Sequence, residues 1–152
     1  MHLMIDIETN GTLAEKSSII QIAAQCFDET GWTVNKLPHF DKCLVPLVGR
    51  NGSQETFDWW QETKLKSCQL QSIHNRMQSA RRAFKAFIHW VEEIQAEGEL
   101  DTWIWAKHPE FDLGFCRSYC DLFDLQIPLV CISYTGCWFR DSSLKGVEFQ
   151  VG

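Results

Sequence analysis

The sequence predicts an α/β protein: a mixed sheet with an antiparallel side and a parallel side, flanked by helices. Three observations carry the prediction. Residues 2–47 hold three apolar runs rich in β-branched side chains, separated by turn signals. Residues 79–96 repeat apolar side chains at three- and four-residue steps, as an amphipathic helix does. Short apolar runs at 101–106 and 129–132 then bracket a second helical stretch. Three strands in about 45 residues form an antiparallel meander, and strands alternating with helices continue it in parallel.

The first strand, His2 to Glu8, leads into Thr9-Asn10-Gly11. Side chains alternate along a strand, so Asp6 and Glu8 share a face, with Cβ atoms roughly 6.5–7 Å apart. Like charges on an otherwise apolar strand are costly unless cations or hydrogen bonds compensate them. The spacing suits divalent ions held between the two acids. The alternative is a strand end whose carboxylates merely reach solvent beside a turn.

Ser18 to Phe27 is nearly continuous apolar sequence and predicts a buried central strand. Asp28 to Gly31 is a hairpin signal, Trp32 to Asn35 extends the sheet, and Phe40 to Leu47 forms the third strand, closed by Pro46 and Gly49 to Gly52. Ser53 is a capping residue for a short helix through Trp60, with acids in its first turn. Residues 61–78 are polar and partly helical. Ser79 to Ala96 buries Ala83, Phe84, Phe87, Ile88, Val91 and Ile94, and Gly98 ends it. Asp101 to Ala106 is a strand whose Trp103 and Trp105 share one face and belong to the core. Pro109 opens the next helix, Leu129 to Ile132 is a further buried strand, and Ser133 to Gly152 has no helical period. In this layout the first strand is central and residues 102–106 lie beside it. Asp112, at the following helix start, then faces the strand end bearing Asp6 and Glu8.

Composition narrows the function. With 152 residues, 45% apolar and 22% charged, the chain is one domain of ordinary globular type, spanning 1–152. No apolar run has membrane-span length and no signal peptide opens the chain, so a cytoplasmic protein without membrane partners is expected. A net charge of −6 argues against holding nucleic acid by bulk electrostatics. It leaves room for an enzyme whose acids surround divalent ions. Lys64, Lys66, Arg76, Arg81, Arg82 and Lys85 lie close together in sequence. They form a solvated helical face or a patch that guides a strand.

The seven cysteines, at 26, 43, 68, 116, 120, 131 and 137, include no C-x-x-C pair and read as buried free thiols. His2, His39, His74 and His89 have no ligand spacing, and His108 reads as a surface-loop residue before Pro109. Gly49 and Gly52 lack the Lys-Ser/Thr of a phosphate loop. Trp59 and Trp60 are candidates for stacking on unpaired bases; at most one is free if the helix is amphipathic.

Asp6-Ile7-Glu8-Thr9, the helix Thr56-Phe57-Asp58-Trp59-Trp60, and Trp103-Ile104-Trp105-Ala106-Lys107-His108-Pro109-Glu110-Phe111-Asp112-Leu113 together resemble the DEDD superfamily of 3′–5′ exonucleases. The likeness is to the branch of exonuclease VIII and the DexA-type enzymes of tailed phages. Cys137 to Asp141 is similar to that family's Arg-Asp strand.

The resemblance implies a ribonuclease H-like fold and two-metal hydrolysis of nucleic-acid 3′ ends, DNA or RNA, with Mg²⁺ or Mn²⁺. By it, Asp6 bridges both ions, Glu8 holds the nucleophile-side ion and Asp112 the leaving-group-side ion. Thr9, Asn10, Trp60 and Phe111 are the implied substrate contacts. The setting it implies is the cytoplasm of a bacterial or phage-infected host cell. The family's third motif is a final-helix Asp preceded by His or Tyr, and residues 142–152 offer no such pattern. The expectation is therefore a C-terminally truncated member, with Asp141 or Glu148 as substitutes only if the tail folds back. The alternative function is a weakly active or inactive relative that binds nucleic acid or protein. A homodimer is among the expected partners.

Overall fold

The computed structural model describes residues 1–28, 36–97, 103–126 and 130–133. The elements in chain order are β1 (His2–Thr9), β2 (Ile19–Phe27), β3 (His39–Leu44), α1 (Gln54–Gln61), α2 (Lys64–Asn75), β4 (Met77–Gln78), α3 (Ala80–Ala96), β5 (Trp103–Ala106), α4 (Pro109–Phe123) and β6 (Val130–Ser133). They build a six-stranded sheet of order β4-β3-β2-β1-β5-β6. The predicted extension at 32–35, Gly98 and the tail with Cys137 to Asp141 lie outside the described residues.

The meander is antiparallel, as the turn-separated runs require: β1 pairs with β2 and β2 with β3. β5 joins β1 in parallel, and β6 joins β5 in parallel. The C-terminal ends of β1, β3, β4 and β5 therefore lie at one end of the sheet, where α3 and α4 also begin. β1 sits inside the sheet, as expected.

Alternation divides the two faces. Leu3, Ile5 and Ile7 of β1 join Ile22, Ala24 and Cys26 of β2 under Phe84, Phe87 and Val91 of α3 and Phe115 and Tyr119 of α4. Burying each such large side chain stabilises the fold by about 1.5–3 kcal/mol. Tyr119 also accepts a 2.8 Å hydrogen bond from the Ile19 amide through its phenol oxygen, so its polar end is satisfied in the core. The opposite face is covered at one corner, where Trp60, Leu70 and Ile73 of α1 and α2 pack on Ile20 and Cys43. Glu8, Gln21, Cys43 and Met77 form one cross-strand row toward that corner.

Local chemistry sets the helix ends. The Ser53, Thr63 and Ser79 hydroxyls accept from the amides of Thr56, Lys66 and Arg82 at the starts of α1, α2 and α3. Pro109 opens α4, and Asp124 closes it in the left-handed region at φ 54°.

Two expectations change. The third strand stops at Leu44: the Val45 amide turns to the Gln78 carbonyl, and Pro46 has no N–H to continue a ladder. The mixed stretch 61–78 is α2 followed by β4, an edge strand too short to announce itself by periodicity. Cys26, Cys43, Cys116 and Cys120 are buried free thiols as expected, whereas Cys68 is exposed. Trp105 is buried; the side chain of Trp103 lies outside the described set. Among the described residues no helix is long and apolar enough to cross a membrane.

Candidate active site

β1 pairs with β5 at Leu3 and Met4, and the start of α4 meets β1 beyond that point. There the Ile7 amide donates to Asp112 Oδ1 at 3.3 Å, across 105 residues of sequence. One interaction thus satisfies a strand-edge donor and fixes Asp112 against the strand that bears Asp6 and Glu8. Asp112 sits in the first turn of α4, the electropositive end of the helix, and is only 4% exposed. Asp6 is the most open of the three acids and Glu8 is half-buried. The structure therefore brings all three predicted acids to one end of the sheet.

Their titration records that proximity. Burial, then the charge of Asp6, pushes the Glu8 carboxyl up to about 7, with Asp112 adding to the shift and a hydrogen bond from Gln69 opposing it. Burial and then Asp6 raise Asp112 to about 6, against the pull of the Ile7, Asp112 and His108 backbone. Burial also raises Asp6, and Lys107 opposes the rise. Three carboxylates that resist ionisation together call for a counter-charge.

The donors suit a hard divalent cation in kind, since all three offer carboxylate oxygen. Among the described residues, however, no group of three Asp, Glu, His or Cys side chains is gathered into a ready-made metal cage. Asp112 already accepts from Ile7, so ligation there uses the remaining lone pairs or displaces that bond.

Beside the acids lies a cleft of about 400 Å³, walled by Ile7, Glu8 and Thr9 of β1, Trp59 and Trp60 of α1, and Phe111 of α4. Glu55, Thr56 and Glu62 complete the α1 side, and Gly11 and Thr12 the loop side. Phe111 stacks at a tilt on Phe115, which ties it to the core. Trp60 requires a correction: it is not a free stacking face. Its indole is 2% exposed and donates to the Thr9 carbonyl at 3.3 Å, because this side of α1 packs on the sheet. Trp59 is the open ring, 45% exposed, edge-on to Trp60 with centroids 5.0 Å apart. The Lys66 ammonium lies 3.8 Å from the centre of the Trp59 ring and 2.7 Å from Glu62.

Asn10 is corrected too. Its side-chain oxygen accepts from the Ser18 amide at 2.7 Å, and its side-chain nitrogen donates to the Arg50 carbonyl at 3.2 Å. Its backbone amide and carbonyl are also engaged, by the Ser18 carbonyl and the Ser53 amide. Asn10 thus ties the strand end both to the start of β2 and to the loop before α1, which makes it a structural junction first. The Thr9 hydroxyl donates to the Gly11 carbonyl at 2.6 Å, so Thr9 lines the cleft while serving the same turn. Sequence reasoning passed over Gln69, Glu55 and Lys107. Their roles depend on how α1, α2 and the β5–α4 turn meet, which no local pattern encodes.

Comparisons with known proteins bear on the fold and the family. Among solved structures, the nuclease domain of 3′hExo, a DEDDh family member bound to rAMP, is similar at a TM-score of 0.57 and 16% identity, over 83% of this chain and 60% of that one. Cell-death related nuclease 4 (CRN-4) is similar at a TM-score of 0.51 and 16% identity, over 82% of this chain and 40% of that one. The chain thus spans 60% and 40% of the lengths of these two. The fold is ribonuclease H-like, a mixed sheet with flanking helices shared with DEDDh nuclease domains. No curated protein matches the chain. The narrower likeness to the phage branch rests on the sequence motifs alone. Residues 1–138, which include β1, α1 and α4, match the model of the Rv2179c-like 3′–5′ exoribonuclease domain, and the chain belongs to that family.

Proposed function

We propose that this chain is a metal-dependent 3′–5′ exoribonuclease that removes nucleotides from RNA 3′ ends. The observation that carries the reading is the convergence of Asp6, Glu8 and Asp112, each raised in pKa, with Glu8 lining a cleft that has an aromatic wall. The family description supports RNA as the substrate class, and so does the nucleotide bound by 3′hExo.

Asp6, Glu8 and Asp112 would hold Mg²⁺ or Mn²⁺, which supplies an activated water and stabilises the departing oxygen in an in-line displacement. Glu8 must shed the proton it keeps up to about pH 7 before it can serve as a ligand, so the site loads more readily as pH rises through neutrality. The face of Trp59 that Lys66 leaves open stacks on the terminal base, a contact worth about 1–3 kcal/mol and tolerant of base identity. Phe111 forms the facing wall. Trp60 fixes the cleft by gripping the Thr9 carbonyl rather than by touching substrate. Glu55 is an acceptor on the cleft wall with no cationic partner among the described residues; it suits a ribose hydroxyl, which DNA lacks at the 2′ position.

The test is shortening of 5′-labelled single-stranded RNA in Mg²⁺ or Mn²⁺, beside the same sequence as DNA. Expected are ladders shortened from the 3′ end, faster on RNA, lost in chelator and in Asp6→Ala. No shortening at high protein concentration, or shortening that persists in Asp6→Ala, removes the proposal.

A further inference from the structure

The beginnings of α3 and α4 lie at the same end of the sheet and are charged in opposite senses. α4 carries Glu110 and Asp112 in its first turn, the arrangement a helix dipole favours. α3 has no acid in its first turn and carries Arg81 and Arg82 there, with Lys85 one turn on; its acids, Glu92, Glu93 and Glu97, stand at the far end. That order opposes the dipole at both termini, so helix stability does not account for it. Arg81, Arg82 and Lys85 are exposed, and among the described residues no acidic side chain pairs with any of them. Arg50, at the same sheet end, bonds neutral oxygens among the described residues, the Ala14 carbonyl at 3.0 Å and Ser118 Oγ at 2.7 Å. A chain of net charge −6 thus keeps Arg81, Arg82 and Lys85 together at the start of α3 with no acid paired to them among the described residues.

We infer that Arg81, Arg82 and Lys85 form a landing site for the phosphates of an RNA strand whose 3′ end occupies the cleft; this rests on the proposed function. β4, which delivers α3, stands three strand positions from β1, about 14 Å across the sheet. α3 packs on the face opposite the one to which Asp6 and Glu8 point, so the path from the cleft runs around the sheet end and is longer than that offset. Nucleotides in the cleft do not reach that far, whereas a strand running on past them does. The site contributes to the hold on long substrates and leaves the terminal nucleotide untouched.

The experiment is equilibrium binding by the full chain in chelator, so that no turnover is needed. The probes are a labelled single-stranded RNA of about 20 nucleotides and a trinucleotide, titrated across salt concentrations. Arg81→Glu/Arg82→Glu with Lys85→Ser is expected to weaken long-strand binding about tenfold or more at low salt. The slope of log affinity against log salt should shrink by about two, at about 0.7 per phosphate contact. Trinucleotide affinity should stay within about twofold, because the cleft is intact. The melting temperature should rise by about 1–4 °C, since acids now sit at the favoured helix end. Arg81→Lys/Arg82→Lys should retain long-strand binding, which separates charge from structure. An unchanged salt slope, equal losses on both probes, or no long-strand binding by the wild-type chain overturns the inference. The exonuclease reading has a separate failure, the absence of metal-dependent shortening whatever the binding result.

Discussion

Among the described residues one face of the sheet is apolar and closed, and the other is polar and covered at a corner. Under α3 and α4 the side chains of Leu3, Ile5 and Ile7 meet Phe84, Phe87 and Tyr119. One pleat away on the same strand, Asp6 and Glu8 face the other side, where burial raises both and Asp112 adds to the shift on Glu8. The same eight-residue strand therefore stabilises the protein with one set of side chains and strains it with the other. Under the proposed function, stability and activity are expected to separate residue by residue, because a strand's period of two sorts them.

Substitutions on the two faces should differ in kind. Asp112→Asn is expected to lower RNA shortening by about 10²–10⁴-fold, the range typical of a lost charge-stabilising or proton-handling group. The melting temperature should hold or rise, since a carboxylate that resists ionisation has been neutralised. Parallel activity and thermal-melt measurements check both, and a collapse in stability would show Asp112 to be mainly a structural residue. On the closed face, Phe84→Ala should cost about 3–5 kcal/mol in denaturant unfolding and leave activity per folded molecule largely intact.

Within α1 the contrast is sharper still. Trp59→Ala should raise KM for RNA by roughly 5- to 150-fold, from about 1–3 kcal/mol of lost stacking, with little change in melting. Trp60→Ala should instead lower stability, because it empties a buried site and frees the Thr9 carbonyl. Equal KM effects from the two would merge roles that their burial keeps apart.

The smallest effect is in the pH dependence of folding without metal. Folded Glu8 holds its proton to about pH 7, whereas its ordinary value is 4.5. Folded Asp112 holds its own to about 6 against 3.8. Between those values the folded state binds more protons than the unfolded one, so stability present at low pH is lost as pH rises toward 7. The expected loss is on the order of 1–2 kcal/mol after allowance for water at the site. Glu8→Gln should flatten the upper part of this slope, and unfolding curves from pH 4 to 8 in chelator measure it.

The legible parts of the molecule were those governed by period or by a single local rule. Asp6 and Glu8 declared a shared face by their spacing, and α3 its buried stripe by its three- and four-residue steps. The place of Asp112 followed from the rule that parallel strands end where the next helix starts. What stayed hidden depended on contact between distant segments. The swap of Trp59 for Trp60 turns on which side of α1 meets the sheet. β4 exists because β3 offers an edge to two residues of no distinctive pattern. Asn10 looked available because the loops that engage it come from residues 18, 50 and 53.

Gly52 lies against that Asn10 junction at φ +76°, and a β-carbon there would stand 1.9 Å from the Asn10 carbonyl oxygen. The main chains meet without any side chain as spacer, so the aromatic wall is mounted on a weld rather than a hinge. Such a wall keeps a constant gauge: under the proposed function, occupants that differ in size are expected to be met by rotation of the Trp59 indole rather than by movement of the main chain at the root of α1.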